Sequence, residues 1–377
     1  MLSNNSAIII GNNHHNTLGL VRSLGRGGLD VVCLVVDKNI AHSFVSKSKY
    51  VNDFCLFPSF DMVLDYLKSH QTDCLVPVFT TSDEGAEFLD LHYDELNKNY
   101  LLNNCGHKQG GISYWMNKEI MLAKAQECGL RIPIGFIIKS KASEIDLLQD
   151  FAFPCIVKPH KSSEAGKTNF RICEDLQQLK NALFEISNVC DQAIVQEFIN
   201  REFEFLMMGM RSSRAGKIVL PGGLHKLRVC KHTKSLGMFA YAYTTPDIEA
   251  SIDVNAIKRF LEAIDYDGIF SVEFMIAHGK AYFLEINLRN DGTQYCFEGA
   301  GVNLPLLWVK EERGEDISQH QQLLDEKYCM VEVNYVKNMN WSHPITALKE
   351  WKNTDLFALT DKNDRKPALY KVIYALK

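Results

Sequence analysis

FSVEFMIAHGKAYFLEINLRNDGT, residues 270–293, decides how the rest of the chain is read. Two runs rich in β-branched and aromatic residues flank Ala277-His278-Gly279-Lys280, the pattern of two strands joined by a tight turn. A three-residue loop of His278, Gly279 and Lys280, with Gly279 at positive φ, pairs Ala277 with Ala281 and sets Glu273 opposite Glu285. Strand alternation then brings Asn287 and Arg289 onto the face of Glu285 and turns Leu284, Ile286 and Leu288 toward a core. Opposed carboxylates are unfavourable in a sheet unless something neutralises them. A hard divalent cation such as Mg²⁺ does so through carboxylate and amide oxygens and keeps positions open for phosphate. Alone, the same stretch reads equally well as an edge hairpin with a solvated polar face. A two-residue loop would move the register by one.

The remaining sequence narrows the choice. A chain of 377 residues with 46% hydrophobic and 23% charged content is globular and long enough for two or three domains. A net charge of −5 leaves no basic excess for general nucleic-acid or anionic-membrane binding, so any anion site is local. The eleven cysteines form neither a CxxC pair nor a His/Cys cluster at metal spacing. They read as reduced, mostly buried thiols of a cytoplasmic protein, without zinc. The N-terminus lacks the basic region of a signal peptide, and no apolar stretch approaches the roughly 18 residues needed to cross a bilayer. Neither secretion nor membrane insertion is expected.

From Ala7 the chain alternates strand and helix. Ala7–Gly11 is followed by a helix with Leu18, Val21 and Leu24 on one face, then Val31–Val36, Tyr50–Phe57, Phe60–His70, Cys74–Phe79 and Ser82–His92. The first hundred residues therefore form an open parallel sheet covered on both faces. Its first turn, Gly11 to Asn16, lacks the glycines of a dinucleotide fingerprint, which disfavours a nicotinamide or flavin site. Asn13, His14 and His15 line a substrate pocket there or form an exposed polar turn.

Next comes a helix over Asn117–Gly129, with Asn117 as cap, Gly129 as stop and Ile120, Ala123 and Ala125 inward. A buried strand delivers Lys158 immediately before Pro159, and a loop carrying Lys161, Ser162, Ser163, Gly166 and Lys167 has the small residues and lysines of a phosphate cradle, although no Walker A motif is present. A further buried strand closes in Gln196-Glu197-Phe198-Ile199, where an adenine edge can find backbone partners, and Glu204 can accept from ribose hydroxyls. Lys226, Arg228, Lys231, His232 and Lys234 make the densest basic patch and suggest an anionic substrate group. Each of these segments also admits a plain solvated reading. Residues from about Glu332 onward look β-like and mixed, with Lys362, Asp364 and Arg365 in a surface turn.

Taken in order, Lys118, Lys158, the small-residue loop, Glu197–Ile199, Glu273 and Glu285-x-Asn287-x-Arg289 resemble the ATP-grasp superfamily over roughly residues 1–310. The style is that of its carboxylate–amine ligases, such as D-aspartate ligase and carbamoyl-phosphate synthetase. The resemblance implies an α/β and α+β architecture: an N-terminal open parallel, Rossmann-like sheet over 1–112, then a two-lobed ATP-grasp fold with antiparallel sheets over 113–310, divided into 113–200 and 201–310. Residues 311–377 carry no assignment. It further implies ATP bound through Lys118 and Lys158 on the phosphates, Ser162, Ser163 and Gly166 folded over them, Glu197, Phe198 and Ile199 on adenine, and Glu204 on ribose. Glu273, Glu285 and Asn287 would hold one or two Mg²⁺, and Arg289 would stabilise the γ-phosphoryl group. The implied reaction activates a small-molecule carboxylate as an acyl phosphate, which an amine captures with release of ADP and phosphate. A carboxylase-type enzyme and a non-catalytic nucleotide binder on the same scaffold remain open. A symmetric dimer is the base-rate expectation.

Overall fold

A run such as SAIIIG persists as a strand when both its faces are covered, and β1 (Ser6–Gly11) is buried along its whole length. The computed structural model describes residues 2–39, 42–70, 74–139, 152–159, 170–188, 190–228, 239–243, 250–324, 326–337 and 343–375. The later strands are β2 (Asp30–Val36), β3 (Val51–Phe57), β4 (Val76–Thr80), β5 (Tyr100–Leu102), β6 (Asn104–Cys105), β7 (Gly135–Lys139), β8 (Cys155–Pro159) and β9 (Arg171–Cys173). They continue with β10 (Gln192–Glu197), β11 (Phe203–Ser212), β12 (Lys217–Arg228), β13 (Phe239–Tyr243), β14 (Tyr266–Ala277), β15 (Lys280–Asn287), β16 (Lys327–Met330) and β17 (Leu356–Phe357). The chain forms two compact units. The first comprises Met1–Leu130, Phe203–Phe274 and Leu284–Lys377, the second Arg131–Glu202 and Met275–Phe283.

In the first unit, a parallel sheet runs β3-β2-β1-β4-β5. Alternation along β1 sends Ala7 and Ile9 into one core with Leu18, Val21 and Leu24, and Ile8 and Ile10 into another with Val63, Leu67 and Phe88. Strand order reverses between β1 and β4, and Gly11 lies at that reversal. A Cβ there would come within 2.3 Å of Thr81 Oγ1 and 2.4 Å of Thr17 Oγ1, so only glycine permits the approach. The larger sheet runs β15-β14-β11-β12-β13-β16-β17, with β6 also paired to β14. In the second unit, antiparallel β7-β10-β8-β9 is covered by the helix Leu176–Ser187, whose cap Asp175 accepts from Gln178 N. The fold is mixed α/β, as expected. No helix among the described residues is long and apolar enough to cross a membrane.

Local readings differ from the structure in three places. Lys118–Glu127 is helical and capped by Asn117, but its buried residues are Met121 and Ala125, while Ala123 is exposed. The C-terminal segment is mainly helical, Glu332–Lys337, Pro344–Lys352 and Lys366–Ala375, and packs into the first unit. Asp364 is buried rather than in a surface turn: its Oδ2 accepts from Arg22 Nε at 2.9 Å and from Ser48 Oγ at 2.7 Å.

The third difference is the hairpin. Its turn is the two residues His278 and Gly279, at φ of 50° and 67°, so the expected three-residue loop is wrong. Two successive positive φ angles are the type I′ geometry that fits the right-handed twist of paired strands. Pairing therefore starts one residue out of the expected register. Along the second strand, Ala281 and Phe283 are buried, then Ile286 and Leu288, so the alternation changes phase. The N–H groups of Phe283 and Ile286 both point away from the hairpin, to Arg131 O at 2.7 Å and Met121 Sδ at 3.3 Å. Outward N–H groups on an unbroken strand recur at even spacing, and these are three apart. A β-bulge at Leu284-Glu285 explains both observations and restores the face lost at the turn.

Candidate active site

Asn287 Nδ2 donates to Ser271 Oγ at 3.1 Å, which puts Asn287 on the face of Ser271 and, two residues on, Glu273. Lys226 projects among these groups from β12. It lies opposite Glu204 in the β11/β12 register and is only 4% exposed. Its Nζ donates to Glu273 Oε2 at 2.8 Å and to Glu204 Oε2 at 3.3 Å. Burial works against its charge, but Glu273 and Glu204 outweigh burial and leave its pKa raised. Lys226 is thus not part of an open basic patch for substrate; two carboxylates already neutralise it. Arg228 follows a register shift and pairs with Phe239 through the backbone, while Lys231 lies outside the described residues.

Burial raises the pKa of Glu273; Lys226 opposes the rise, and Glu285 and Asp291 add to it. Glu285 Oε2 is 3.6 Å from Lys118 Nζ, a half-exposed pair contributing at most about 1 kcal/mol. Arg289 joins its own segment to that of Asp83: Nε donates to Asp83 Oδ1 at 2.6 Å, Nη2 to Asn287 Oδ1 at 3.2 Å and Nη1 to Asn290 O at 3.0 Å. Asp83 opens the helix Asp83–Leu91 at the carboxyl end of β4, so Arg289 is tied to the reversal point of the parallel sheet. Asn16 strengthens that tie, donating to Thr81 O at 3.0 Å and accepting from Asn290 Nδ2 at 2.6 Å.

Among the described residues no group of three or more His, Cys, Asp or Glu side chains is arranged to hold a metal. Glu273, Glu285 and Asn287 offer two carboxylates and one amide. Asn287 Oδ1 meets Arg289, so its orientation is fixed, and the Glu273 carboxyl is held above its usual range by burial first, with two neighbouring carboxylates adding to the shift. A divalent cation would relieve that repulsion, and hard oxygens are the donors Mg²⁺ prefers, so these residues fit the ion.

In the second unit, half-buried Lys158 donates to Gln196 Oε1 at 3.2 Å and pairs with Ile194 across β8/β10. Glu197 N donates to Ile134 O at 2.7 Å, and its carboxylate accepts from Ile134 N at 3.3 Å. Phe198 N donates to Pro154 O at 3.3 Å. The carboxylate of Glu197 is therefore a clamp on its own unit, and two of the three N–H groups expected to meet adenine are already engaged. Ile199 is buried. Ser162, Ser163 and Gly166 lie outside the described residues.

Asp83, Asp291, Ser271 and Gln196 were missed by sequence reasoning. Asp83 and Asp291 carried a signal: one opens a helix directly after a parallel strand, and the other follows Arg289 by two residues. Ser271 and Gln196 carried none beyond strand parity.

Residues 123–301 match the family model of the ATP-grasp domain. The chain is 23% identical over 273 residues to the formate-dependent phosphoribosylglycinamide formyltransferase of Methanocaldococcus jannaschii, covering 70% of this chain and 65% of that protein. It thus spans less than two thirds of that relative's length. Among solved structures it is similar to a biotin carboxylase–βγ-ATP complex from Campylobacter jejuni, with TM-score 0.65, 14% identity and coverage of 86% and 74% of the two chains. It is also similar to L-amino acid ligase from Bacillus licheniformis, with TM-score 0.63, 16% identity and coverage of 87% and 80%. At these identities the likeness establishes the fold.

Proposed function

Residues 123–301 being an ATP-grasp domain, we propose that the chain is an ATP-dependent ligase that activates a small-molecule carboxylate as an acyl phosphate and joins it to an amine, forming ADP and phosphate. The observation that carries this reading is Arg289, held between Asp83 and Asn287, with Asn287 bonded in turn to Ser271 on the strand of the buried Glu273, which Lys226 meets. Phosphoryl transfer needs positioning and charge neutralisation more than a protein nucleophile, and these groups supply both. Within the first unit, Glu273, Glu285 and Asn287 would hold one or two Mg²⁺, whose role is to neutralise phosphate oxygens. Arg289 would meet the γ-phosphoryl group, and Lys118, now paired with Glu285, would turn to phosphate oxygens. Lys226 fixes Glu273 and Glu204 in place and is a positioning residue. Within the second unit, Lys158 would take phosphate oxygens, and Ile199 N would be the backbone donor to a base. The family resemblance assigns the phosphate loop to Ser162, Ser163 and Gly166; Arg228 and Lys231, read from the sequence as members of a basic patch, would meet an anionic group of the substrate.

The test is ADP release from Mg²⁺–ATP with a panel of acids and amines. Glu285→Gln and Arg289→Ala each abolish release while thermal unfolding stays cooperative. Wild-type protein that neither binds Mg²⁺–ATP nor forms ADP with any pair of substrates refutes the reading.

A further inference from the structure

The first unit contains a cavity of about 640 Å³, within the size range of pockets that take drug-sized molecules. Three segments wall it: the helix His15–Arg26, the helix Gln294–Gly299 and the C-terminal stretch 355–368. None of its lining residues is among those proposed for nucleotide, metal or substrate. The first helix meets the segment of Arg289 through Asn16, which accepts from Asn290 Nδ2. At 1.5 Å per residue, Arg22 and Arg26 lie about 9 and 15 Å further along that helix, so the charged wall of the cavity is a different place from the phosphoryl end of the site.

Part of the wall is apolar and closely packed. A Cβ on Gly299 would come within 2.4 Å of Leu356 Cδ1, and one on Gly19 would lie 3.5 Å from Tyr295 Cβ, so helix backbone rests directly on Leu356 and Tyr295. Phe357 and Ala368 extend that surface. The lining also carries four cations and three carboxylates, and most of them are already engaged. Arg22 serves Asp364 and three carbonyls, and Arg26 bridges Glu298, at 2.6 Å, and Asp361. Asp355 Oδ2 accepts from Tyr328 N at 2.9 Å beside the β16/β17 pairing. Lys362 and Arg365, both exposed, are left over. Arg365 Nε donates to Lys362 O at 3.2 Å, which folds the guanidinium over its own turn. Among the described residues neither Lys362 Nζ nor the two Nη groups of Arg365 meets an acceptor.

An apolar wall with unmatched cations at its rim complements a molecule that has an apolar body and one anionic group. We propose that this cavity is a binding site for a small organic anion, a carboxylate or a phosphate, whose body lies against Tyr295, Leu356 and Phe357 and whose charge meets Lys362 and Arg365. Its occupant is neither the nucleotide nor a reacting substrate. The helix that supplies Tyr295 and Glu298 to the cavity begins at Gln294, five residues after Arg289, so the occupant touches the helix that continues the Arg289 segment.

Calorimetric titration of the full-length chain with naphthoate and naphthyl phosphate, against the neutral naphthamide and naphthol, tests the proposal. An anionic probe binds about tenfold more tightly than its neutral partner, the value of one charge-assisted contact, and the series that does so identifies the anion. Lys362→Met combined with Arg365→Met removes that preference and leaves the neutral probes unchanged, whereas Lys362→Arg keeps it. Ala368→Phe, which narrows the cavity, weakens anionic and neutral probes alike by about tenfold. A saturating non-hydrolysable ATP analogue with Mg²⁺ displaces none of them. Equal binding of anionic and neutral probes, a preference that survives the double substitution, affinities untouched by Ala368→Phe, displacement by the nucleotide, or no probe bound by wild type that unfolds cooperatively would each overturn the proposal.

Discussion

The two units hold their key lysines in opposite ways. Lys226 in the first unit is buried on a central strand, with both nearby carboxylates within 3.3 Å, and has little latitude to move. Lys158 in the second unit is half-buried and bonded to the neutral amide of Gln196. A buried ion pair is worth little compared with well-packed apolar residues, but removing one partner strands the other charge. The Lys158–Gln196 bond joins a cation to a neutral amide, so cutting it strands no charge on Gln196. The contrast is between a buried lysine held by two carboxylates and a half-buried one bonded to a neutral amide.

Four measurements sharpen or break this contrast. Lys226→Met strands Glu204 and Glu273 and lowers unfolding free energy by about 3–5 kcal/mol, read by urea denaturation. Adding Glu273→Gln restores part of the loss. Lys158→Met lowers the urea midpoint by less than Lys226→Met does and raises the apparent Kd for Mg²⁺–ATP by roughly tenfold, read by calorimetry. Comparable destabilisation by both substitutions would dissolve the distinction. Lys118→Met, which removes the exposed pair with Glu285, shifts stability by less than about 1 kcal/mol while also weakening nucleotide binding.

The smallest effect concerns pH. His15 has a folded pKa of about 3, below its ordinary 6.5, because burial disfavours the charged ring. The unfolded chain therefore binds more protons, so the group leaves stability untouched above pH 6.5 and subtracts from it as pH falls from 6.5 toward 3. His15→Gln flattens the stability profile in that window. An unchanged slope would show that the ring is protonated in the folded chain.

Much of the architecture was legible because its signals are local. The β-α-β alternation, the Asn117 cap and the Glu285-x-Asn287-x-Arg289 spacing need only strand and helix periods. The turn at His278-Gly279 was misjudged because Ala-His-Gly-Lys admits two loop lengths, and the bulge that compensates for it has no composition of its own. Lys226 looked like a surface cation because sequence does not reveal which carboxylates lie across the sheet. Asp364 looked like a turn residue because its partner, Arg22, is 342 positions away. Tertiary placement, which single-sequence patterns do not encode, accounts for the misses at Lys226 and Asp364.

Arg22 has a consequence for biosynthesis. Its guanidinium is buried, and its partners are the carbonyls of Ala358, Leu359 and Asp364 and the carboxylate of Asp364. The helix that carries it emerges from the ribosome more than three hundred residues before any of them. Burying that guanidinium without these partners would be costly. The Arg22 hydrogen bonds can therefore form only once residues 358–364 have been made, which couples that flank of the helix to the C-terminal segment.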